Sequence, residues 1–302
     1  LPIQRERYTN FPKIEASGLK GCIREAFRDL NPQIEIKGQK IKPMDKIRYK
    51  KDGTEKETDY LSLVFGPEDG EEAHAGAIAF TDARILLFPV KSLKGVFTWI
   101  TCPMVLERFK EDLRLVNKTE ELFDIDFSTL VNNLPNQKNI CIESKIVLEE
   151  YTIEVKENET VSKIADYIAE KIFPKQDNDV YKFWHEKLKR DLIILSDDDF
   201  TQFVTTSTEI ITRTRIDDVT GTVKSGALWT EEYLPQDTIL YSIAMASPIR
   251  VEKDEAKGIF KNISDKEVEN VLEFFEKGIP EIIQIGGNQT IGKGITRIQI
   301  LK

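Results

Sequence analysis

Residues 76–109 read GAIAFTDARILLFPVKSLKGVFTWITCPMVLERF. Apolar residues alternate or run together over 76–80 and 85–88, as they do in short strands. After Pro103, apolar residues follow at the spacing of one helix face. This order predicts a sheet with helices packed across it.

Strand-like and helical segments are mixed in the same way along the rest of the chain. The pattern predicts further strands over 141–143, 145–148, 151–155, 192–195, 240–246, 282–285 and 295–301. It predicts helices over 18–30, 161–172, 180–188, 200–205 and 268–275. Hairpins join neighbouring strands rather than strict βαβ alternation, which indicates the α+β class.

Two stretches differ from this pattern. Residues 210–228 alternate threonine, arginine and isoleucine around an Asp-Asp pair and a Thr-Gly pair. That alternation predicts an extended, projecting hairpin with two polar faces. Residues 33–61 are rich in lysine and weakly patterned, so we interpret them as an irregular, flexible insertion.

Composition limits the class of protein. Hydrophobic residues make up 40% of the 302 positions and charged residues 31%, with no apolar run near the roughly 18 residues of a membrane span. Cys22, Cys102 and Cys141 lack CxxC spacing, which argues against a disulfide framework or a zinc site. We therefore expect a soluble protein of the reducing cytoplasm with no membrane contact.

The charge balance bears on nucleic-acid binding. A net charge of -9 and a pI near 5.1 argue against indiscriminate binding through a global positive field. Any RNA contact must therefore be local. Arg213 and Arg215 form one local basic group, although a solvated face of an acidic protein is the alternative interpretation.

Two further segments could hold a phosphate. Ser17 and Lys20 stand at a helix start, where free amides, the positive end of the helix dipole and an ammonium group meet, and Arg24 follows one turn later. A simple helix capped by serine is the alternative. Near the end of the chain, a loop between two strands combines flexible glycines with one charge, and a tight structural turn is the alternative. Its residues are Gly286, Gly287, Gly292, Lys293 and Gly294.

Acid–base chemistry has one candidate group. Two carboxylates and a phenol follow Trp229, at Glu231, Glu232 and Tyr233, although a surface loop with solvated charges would look the same. His74 and His185 have no visible partner, and we interpret each as an exposed residue. The sequence contains no Ser-His-Asp or HExxH signature.

Taken together, these motifs resemble the RAMP superfamily. Its common marks are a Ser-Leu-Lys-Gly type of helix start, here at residues 17–21, and a C-terminal glycine-rich loop, here at 286–294. A longer signature from Phe65-Gly66 to Cys102-Pro103 is similar to the multi-copy backbone subunit of the type III-B CRISPR (Cmr) effector complex. Residues 226–235 match it too, whereas 33–61 and 115–160 match less distinctly.

The resemblance implies a ferredoxin-like (RRM-like) core with inserted helical segments and a protruding thumb hairpin at about 210–228, in one elaborated domain over 1–302. It implies guide crRNA, target RNA, copies of the same chain and other Cmr-complex subunits as partners. The implied activity is cleavage of the target RNA at regular intervals, dependent on a divalent metal ion, magnesium or manganese. A non-catalytic scaffold that binds only guide RNA is the main alternative.

The resemblance also assigns residues. Lys20 matches a guide-binding lysine, and Glu231 and Tyr233 match secondary contributors to cleavage. The principal residue of the family is an aspartate just before the Pro-Ile-Gln-Arg-Glu segment, a position that would precede Leu1, so the extreme N-terminus is expected to be missing. That aspartate would hold the metal or position the reacting hydroxyl. A guide-processing ribonuclease is a third possibility, and the isolated histidines count against it.

Overall fold

The computed structural model describes residues 1–68, 73–116, 122, 124–136, 140–173, 180–261 and 266–301. They form two compact units. The first unit comprises Leu1–Lys13 and Arg84–Tyr241, and the second comprises Ile14–Ala83 and Ser242–Lys302. The interpretation of the whole chain as one elaborated domain stays a prediction. Within the described ranges, no helix has the length and apolar character that crossing a membrane would need.

The strands are β1 (Lys13–Ile14), β2 (Ile34–Ile36), β3 (Gln39–Ile41), β4 (Lys46–Lys51), β5 (Thr54–Asp59), β6 (Ile78–Phe80), β7 (Ala83–Ser92), β8 (Val96–Thr101), β9 (Asn133–Leu134), β10 (Lys145–Leu148), β11 (Tyr151–Glu154), β12 (Lys156–Glu157), β13 (Leu192–Ile194), β14 (Glu209–Ile216), β15 (Val223–Tyr233), β16 (Ile239–Tyr241), β17 (Ala244–Ala246), β18 (Ile282–Gln284) and β19 (Ile295–Arg297). The α-helices are α1 (Ala16–Leu30), α2 (Tyr60–Phe65), α3 (Pro103–Leu115), α4 (Glu159–Ile172), α5 (Lys182–Arg190), α6 (Asp197–Thr206) and α7 (Glu267–Gly278). Short 3-10 helices occupy Phe127–Leu130, Asp254–Phe260 and Gln289–Ile291.

A mixed sheet forms the centre of the first unit. Its strand order is β11-β10-β7-β8-β13-β9-β12, and β16 also pairs with β7. β7 and β8 are antiparallel, whereas β13 runs parallel to β8. Most residues of β7 are buried, as expected for a strand whose apolar residues run together instead of alternating. The mixture of strands and helices confirms the predicted α+β class.

Two helices of this unit begin at residues whose local chemistry favours a helix start. Pro103 lies in the first turn of α3, where a missing backbone N–H costs nothing. Ser196 caps α6, since its hydroxyl accepts a hydrogen bond from the Asp199 amide at 3.0 Å, and three aspartates in the first turn complement the helix dipole. Both helix starts were predicted.

A buried ion pair fixes α5 against the turn between β7 and β8. The Lys187 ammonium donates to the Asp191 carboxylate at 2.6 Å and to the carbonyls of Gly95 and Phe97 at 3.1 and 2.9 Å. The side chains of Lys187 and Asp191 are 5% and 1% exposed. Buried charges of this kind persist only when every polar atom has a partner, so the pair defines how α5 packs.

Residues 210–228 lie in a hairpin, which is longer than predicted. β14 and β15 pair in antiparallel register from Glu209 opposite Tyr233 outward. At the turn, the Asp217 carboxylate accepts hydrogen bonds from the amides of Val219 and Thr220, both at 3.0 Å. Because β15 continues to Tyr233, the predicted site residues near its end lie on a strand and not on a surface loop.

The second unit is built around Phe27 of α1. Its ring packs against Phe65, Phe274 and Phe275, with centroid distances of 5.2, 5.6 and 6.2 Å. A Cβ atom at Gly278 would lie 2.4 Å from the Phe27 ring, so glycine is what lets α7 approach α1 this closely. α1 and α7 therefore form the core of this unit.

The interpretation of residues 33–61 as irregular was wrong. They form two hairpins, β2 with β3 and β4 with β5, followed by the start of α2. The strands are short or alternate a few buried residues with exposed lysine and glutamate, and this weak pattern hid them.

Candidate nucleic-acid interface

The predicted site residues divide between the two units. Glu231, Tyr233, Arg213 and Arg215 belong to the β14–β15 hairpin of the first unit. The second unit holds the α1 residues Ser17, Lys20 and Arg24 and the loop residues Gly286, Gly287, Gly292, Lys293 and Gly294.

One face of the hairpin gathers polar and aromatic side chains. In an antiparallel pair, residues directly opposite each other share a face. The register places Arg213 opposite Trp229 and Ile211 opposite Glu231. Tyr233 follows Glu231 by two positions and lies on the same face.

The Glu231 carboxylate is the centre of this face. It accepts hydrogen bonds from Arg213 Nε at 3.1 Å, from Trp229 Nε1 at 3.0 Å and from the Tyr233 hydroxyl. Glu231 is only 8% exposed, so it is not an ordinary solvated surface charge. Hydrogen bonds with Tyr233 and Glu231 raise the pKa of Arg213. Arg215, two residues nearer the turn, is exposed.

Glu232, which the sequence grouped with Glu231 and Tyr233 as a possible acid or base, has partners of its own. Its carboxylate accepts hydrogen bonds from Arg5 Nη2 at 2.6 Å, Thr208 Oγ1 at 2.8 Å and the Ile3 amide at 3.1 Å. Burial would raise the pKa of Glu232, but these hydrogen bonds and the Arg5 charge outweigh it and lower that pKa. The carboxylate is therefore ionised at neutral pH.

The start of α1 differs from its prediction. The helix begins at Ala16, so Ser17 is an exposed residue of the first turn and not the cap. Asp82 caps the helix from elsewhere in the unit, because its Oδ1 accepts a hydrogen bond from the Ala16 amide at 2.8 Å. A carboxylate thus already occupies part of the positive helix end.

The two basic residues of α1 also have partners within the protein. Lys20 Nζ donates to the Ile78 carbonyl at 2.9 Å, and Arg24 forms an ion pair with Glu68. Burial, together with the nearby Arg24 charge, lowers the pKa of Lys20. An incoming phosphate would have to compete with these contacts.

The glycine-rich loop joins β18 to β19. Gly286, Gly292 and Gly294 have φ values of 89°, 74° and 73°, a region that disfavours other residues. A Cβ atom at Gly294 would lie 1.9 Å from the Ile285 carbonyl oxygen, so this glycine serves the turn itself. A Cβ at Gly287 would meet open space. The geometry at Gly294 fits the tight structural turn that the sequence left open, and the phosphate-binding interpretation of the loop stays a prediction.

A glutamine side chain braces this loop from inside. Gln284 Nε2 donates to the carbonyls of Gly286, Gly287 and Lys293 at 3.0, 3.3 and 3.1 Å. With three carbonyls held inward, the loop keeps a defined shape while its residues 286–293 remain largely exposed. A preformed loop is what a phosphate contact through backbone amides requires.

The described ranges offer little to a metal ion or to histidine chemistry. No group of three or more His, Cys, Asp or Glu side chains there could hold a metal ion, and both Glu231 oxygens already accept hydrogen bonds. His185 is buried rather than exposed, with Nδ1 3.4 Å from Glu186 Oε1, because α5 turns it toward the core. His74 is exposed, as predicted. The residues present do not by themselves build a metal site.

Comparison with known proteins gives a consistent result. The family profile described as the RAMP superfamily matches residues 1–297. The chain is 34% identical to the Pyrococcus furiosus protein named CRISPR system Cmr endoribonuclease Cmr4, over 99% of this chain and 87% of that one. It is 26% identical to the Saccharolobus solfataricus CRISPR system CMR subunit Cmr4, over 100% and 88%.

Solved structures agree with the sequence comparison. The crystal structure of oligomeric Cmr4 from Pyrococcus furiosus matches with a TM-score of 0.66 and 29% identity, covering 98% of this chain and 89% of that one. A chain in the type III-B Cmr-beta complex bound to cognate target RNA matches with a TM-score of 0.60 over 99% and 87%. At 21% identity, that second likeness concerns the fold alone.

Proposed function

This chain belongs to the RAMP superfamily and, within it, to the Cmr4 family, and from that membership we propose that it is an endoribonuclease and the backbone subunit of a type III-B CRISPR effector complex. The observation that carries the proposal is 34% identity across 99% of the chain to a protein named as an endoribonuclease. It would act in the cytoplasm, a reducing compartment that suits the three thiols at Cys22, Cys102 and Cys141.

In this proposal the first unit contains a ferredoxin-like core and the β14–β15 hairpin is its thumb. Support for the core comes from the antiparallel pair of β7 and β8 with α3 following β8, whereas the parallel pairing of β13 with β8 departs from the antiparallel sheet of a ferredoxin-like fold. Support for the thumb comes from the length of the hairpin and the exposure of its outer residues.

The guide crRNA would be held by local basic groups, because the chain as a whole carries a net charge of -9. Lys20 and Arg24 are the candidate phosphate ligands of α1, and the exposed backbone at Gly286 and Gly287 is a second. Contacts of this kind position RNA without reading its sequence, while base pairing supplies specificity. Copies of the chain would line up along the guide beside other Cmr subunits, in keeping with the oligomeric Cmr4 structure.

Cleavage requires the 2′-hydroxyl of one nucleotide to line up on the adjacent phosphate, which a stacked A-form helix prevents. A hairpin wedged into the guide–target duplex would flip a nucleotide out and remove that restraint. Arg213 could then contact the freed phosphate, because Glu231 fixes one N–H of its guanidinium and other donors remain.

The hydrogen bonds of Glu231 restrict its own role. With three donors on its two oxygens, the carboxylate is placed to orient Arg213 and Tyr233. The proposal retains a divalent metal ion, magnesium or manganese. Since the described residues gather no site for it, we assign no step to that ion.

The alternative is a scaffold that binds guide RNA while other subunits do the chemistry. The deciding experiment assembles the full-length protein with guide and partner subunits and adds end-labelled complementary RNA, with and without magnesium or manganese. Evenly spaced, metal-dependent cuts in complementary RNA and none in unrelated RNA are expected. Tight target binding without cuts, from a complex whose partner nucleases are intact, would identify the scaffold instead.

A further inference from the structure

The first residue of the chain hydrogen-bonds to the backbone of β15 on both sides of Glu231. The Leu1 amine donates to the Thr230 carbonyl at 2.5 Å, and the Glu232 amide donates to the Leu1 carbonyl at 2.9 Å. Two such bonds to residues on either side of Glu231 are how parallel strands join. Leu1 therefore lies opposite Glu231, on the edge of β15 away from β14. We call residues 1–5 the strap.

A side-chain clamp holds the strap in this register. Glu232 accepts hydrogen bonds from the Ile3 amide and from Arg5 Nη2, both within the strap, and from Thr208 Oγ1 at the start of the hairpin. The Glu232 and Arg5 side chains are only 13% and 15% exposed. An ion pair shielded from water in this way constrains geometry far more than one on the surface.

Arg5 extends the clamp to two further elements. Its Nη1 donates to the Val204 carbonyl of α6 at 3.0 Å and to the Asn10 carbonyl at 2.9 Å. Phe11 packs edge-on against Phe200 of α6, with centroids 5.1 Å apart. The strap is thus tied to α6 at one end and to the hairpin at the other. Through Glu232, the hairpin base is tied to the same helix.

We propose that Glu232 is a positioning residue for the cleavage proposed above: through Arg5 and Ile3 it sets the register of the strap against β15 and so the place of Glu231 and its partners. The inference rests on that proposed function. Glu232 and Glu231 are neighbours on one strand and point to opposite faces, so Glu232 holds the strap while Glu231 holds Arg213, Trp229 and Tyr233 on the other face. A displacement of about 1 Å at a reacting centre can cost about a hundredfold in rate.

Glu232→Gln tests this directly. It keeps the size of the side chain but turns one acceptor oxygen into an NH2 group that faces a donor. In the assembled complex, we expect single-turnover cleavage of complementary RNA to fall at least tenfold, while the affinities for guide and target stay within about twofold. Glu150→Gln, on the exposed turn between β10 and β11, is the matched control and should cut at the normal rate.

A second variant guards against a folding defect. Arg5→Lys keeps the charge but supplies a single ammonium in place of the guanidinium that reaches both Glu232 and Val204. It should lower the cleavage rate in the same way, and the double variant should be no slower than the slower single one, since both changes break one link.

The outcomes separate this inference from the function on which it rests. Cleavage by Glu232→Gln and Arg5→Lys at the wild-type rate would overturn the inference and leave the proposed function standing. Equal losses of target binding and cleavage would overturn it too, because Glu232 would then serve only the stability of the fold. A wild-type complex that binds target without cutting would overturn the proposed function, and this inference with it.

Discussion

Replacing Glu231 by glutamine removes the charge on which three donors converge. Arg213 Nε and the Tyr233 hydroxyl donate to one carboxylate oxygen, and Trp229 Nε1 donates to the other. Glutamine has one acceptor oxygen. If that oxygen faces Arg213 and Tyr233, the new NH2 group meets the indole N–H of Trp229, so at least one donor loses its partner.

The cost follows from these contacts. Losing one hydrogen bond to a buried charged group, with the other two weakened, costs about 2 kcal/mol of the free energy of unfolding. For a chain of 302 residues, with an unfolding entropy of about 2.1 cal/mol/K per residue, that lowers the melting temperature by roughly 3 °C. Because Arg213 and Tyr233 also lose their fixed positions, we expect the cleavage rate to fall about tenfold to a hundredfold.

The assay pairs thermal unfolding of the purified chain with single-turnover cleavage by the assembled complex. Glu150→Gln, which changes an exposed carboxylate in the same way, should alter neither quantity. An unchanged melting temperature together with a normal cleavage rate for Glu231→Gln would refute the claim that this carboxylate organises the face. A stability loss without any loss of rate would limit Glu231 to a structural role.

Three further changes have defined outcomes. Lys20→Ala should weaken guide binding to the same extent for all guide sequences, which binding assays with several unrelated guides check. It should also lower the free energy of unfolding by about 1 kcal/mol, because the hydrogen bond to the Ile78 carbonyl is lost, and thermal unfolding checks this. Gly294→Ala should lower the free energy of unfolding by about 2 kcal/mol or more, because the residue has a φ of 73° and the new Cβ would meet the Ile285 carbonyl oxygen. A smaller effect in denaturant unfolding would contradict the loop geometry. Because its folded pKa is lowered, Glu232 contributes stability that is present above its unfolded pKa of about 4.3 and lost as pH falls through the folded value. The melting temperatures of wild type and Glu232→Gln should therefore differ at pH 7 and converge in acid.

Local patterns predicted much of the fold, and the reason is visible in particular elements. The apolar run of β7, the helix after Pro103 and the cap at Ser196 all depend on residues within a few positions of each other. The hairpins of residues 33–61 were missed because they bury too few side chains to show alternation.

The start of α1 shows where local rules fail. Ser17 satisfies the local rule for a cap, yet Asp82 takes that place from 66 positions away. Lys20 and Arg24 were predicted as phosphate-binding groups, and the fold gives them Ile78 and Glu68 as partners within the protein. Sequence spacing cannot reveal partners that only chain folding brings near.

By itself, the sequence determined the fold class and the hairpin over 210–228. Only the structure extended β15 to Tyr233, which puts Glu231 and Tyr233 on one face because residues two apart on a strand point the same way. Only the tertiary structure decided which donors meet those residues. Arg213 reaches Glu231 through the register of two strands, and Arg5 reaches Glu232 across 227 positions of sequence. Periodicity is a short-range property of the chain, whereas a hydrogen bond between distant residues depends on the path of everything between them.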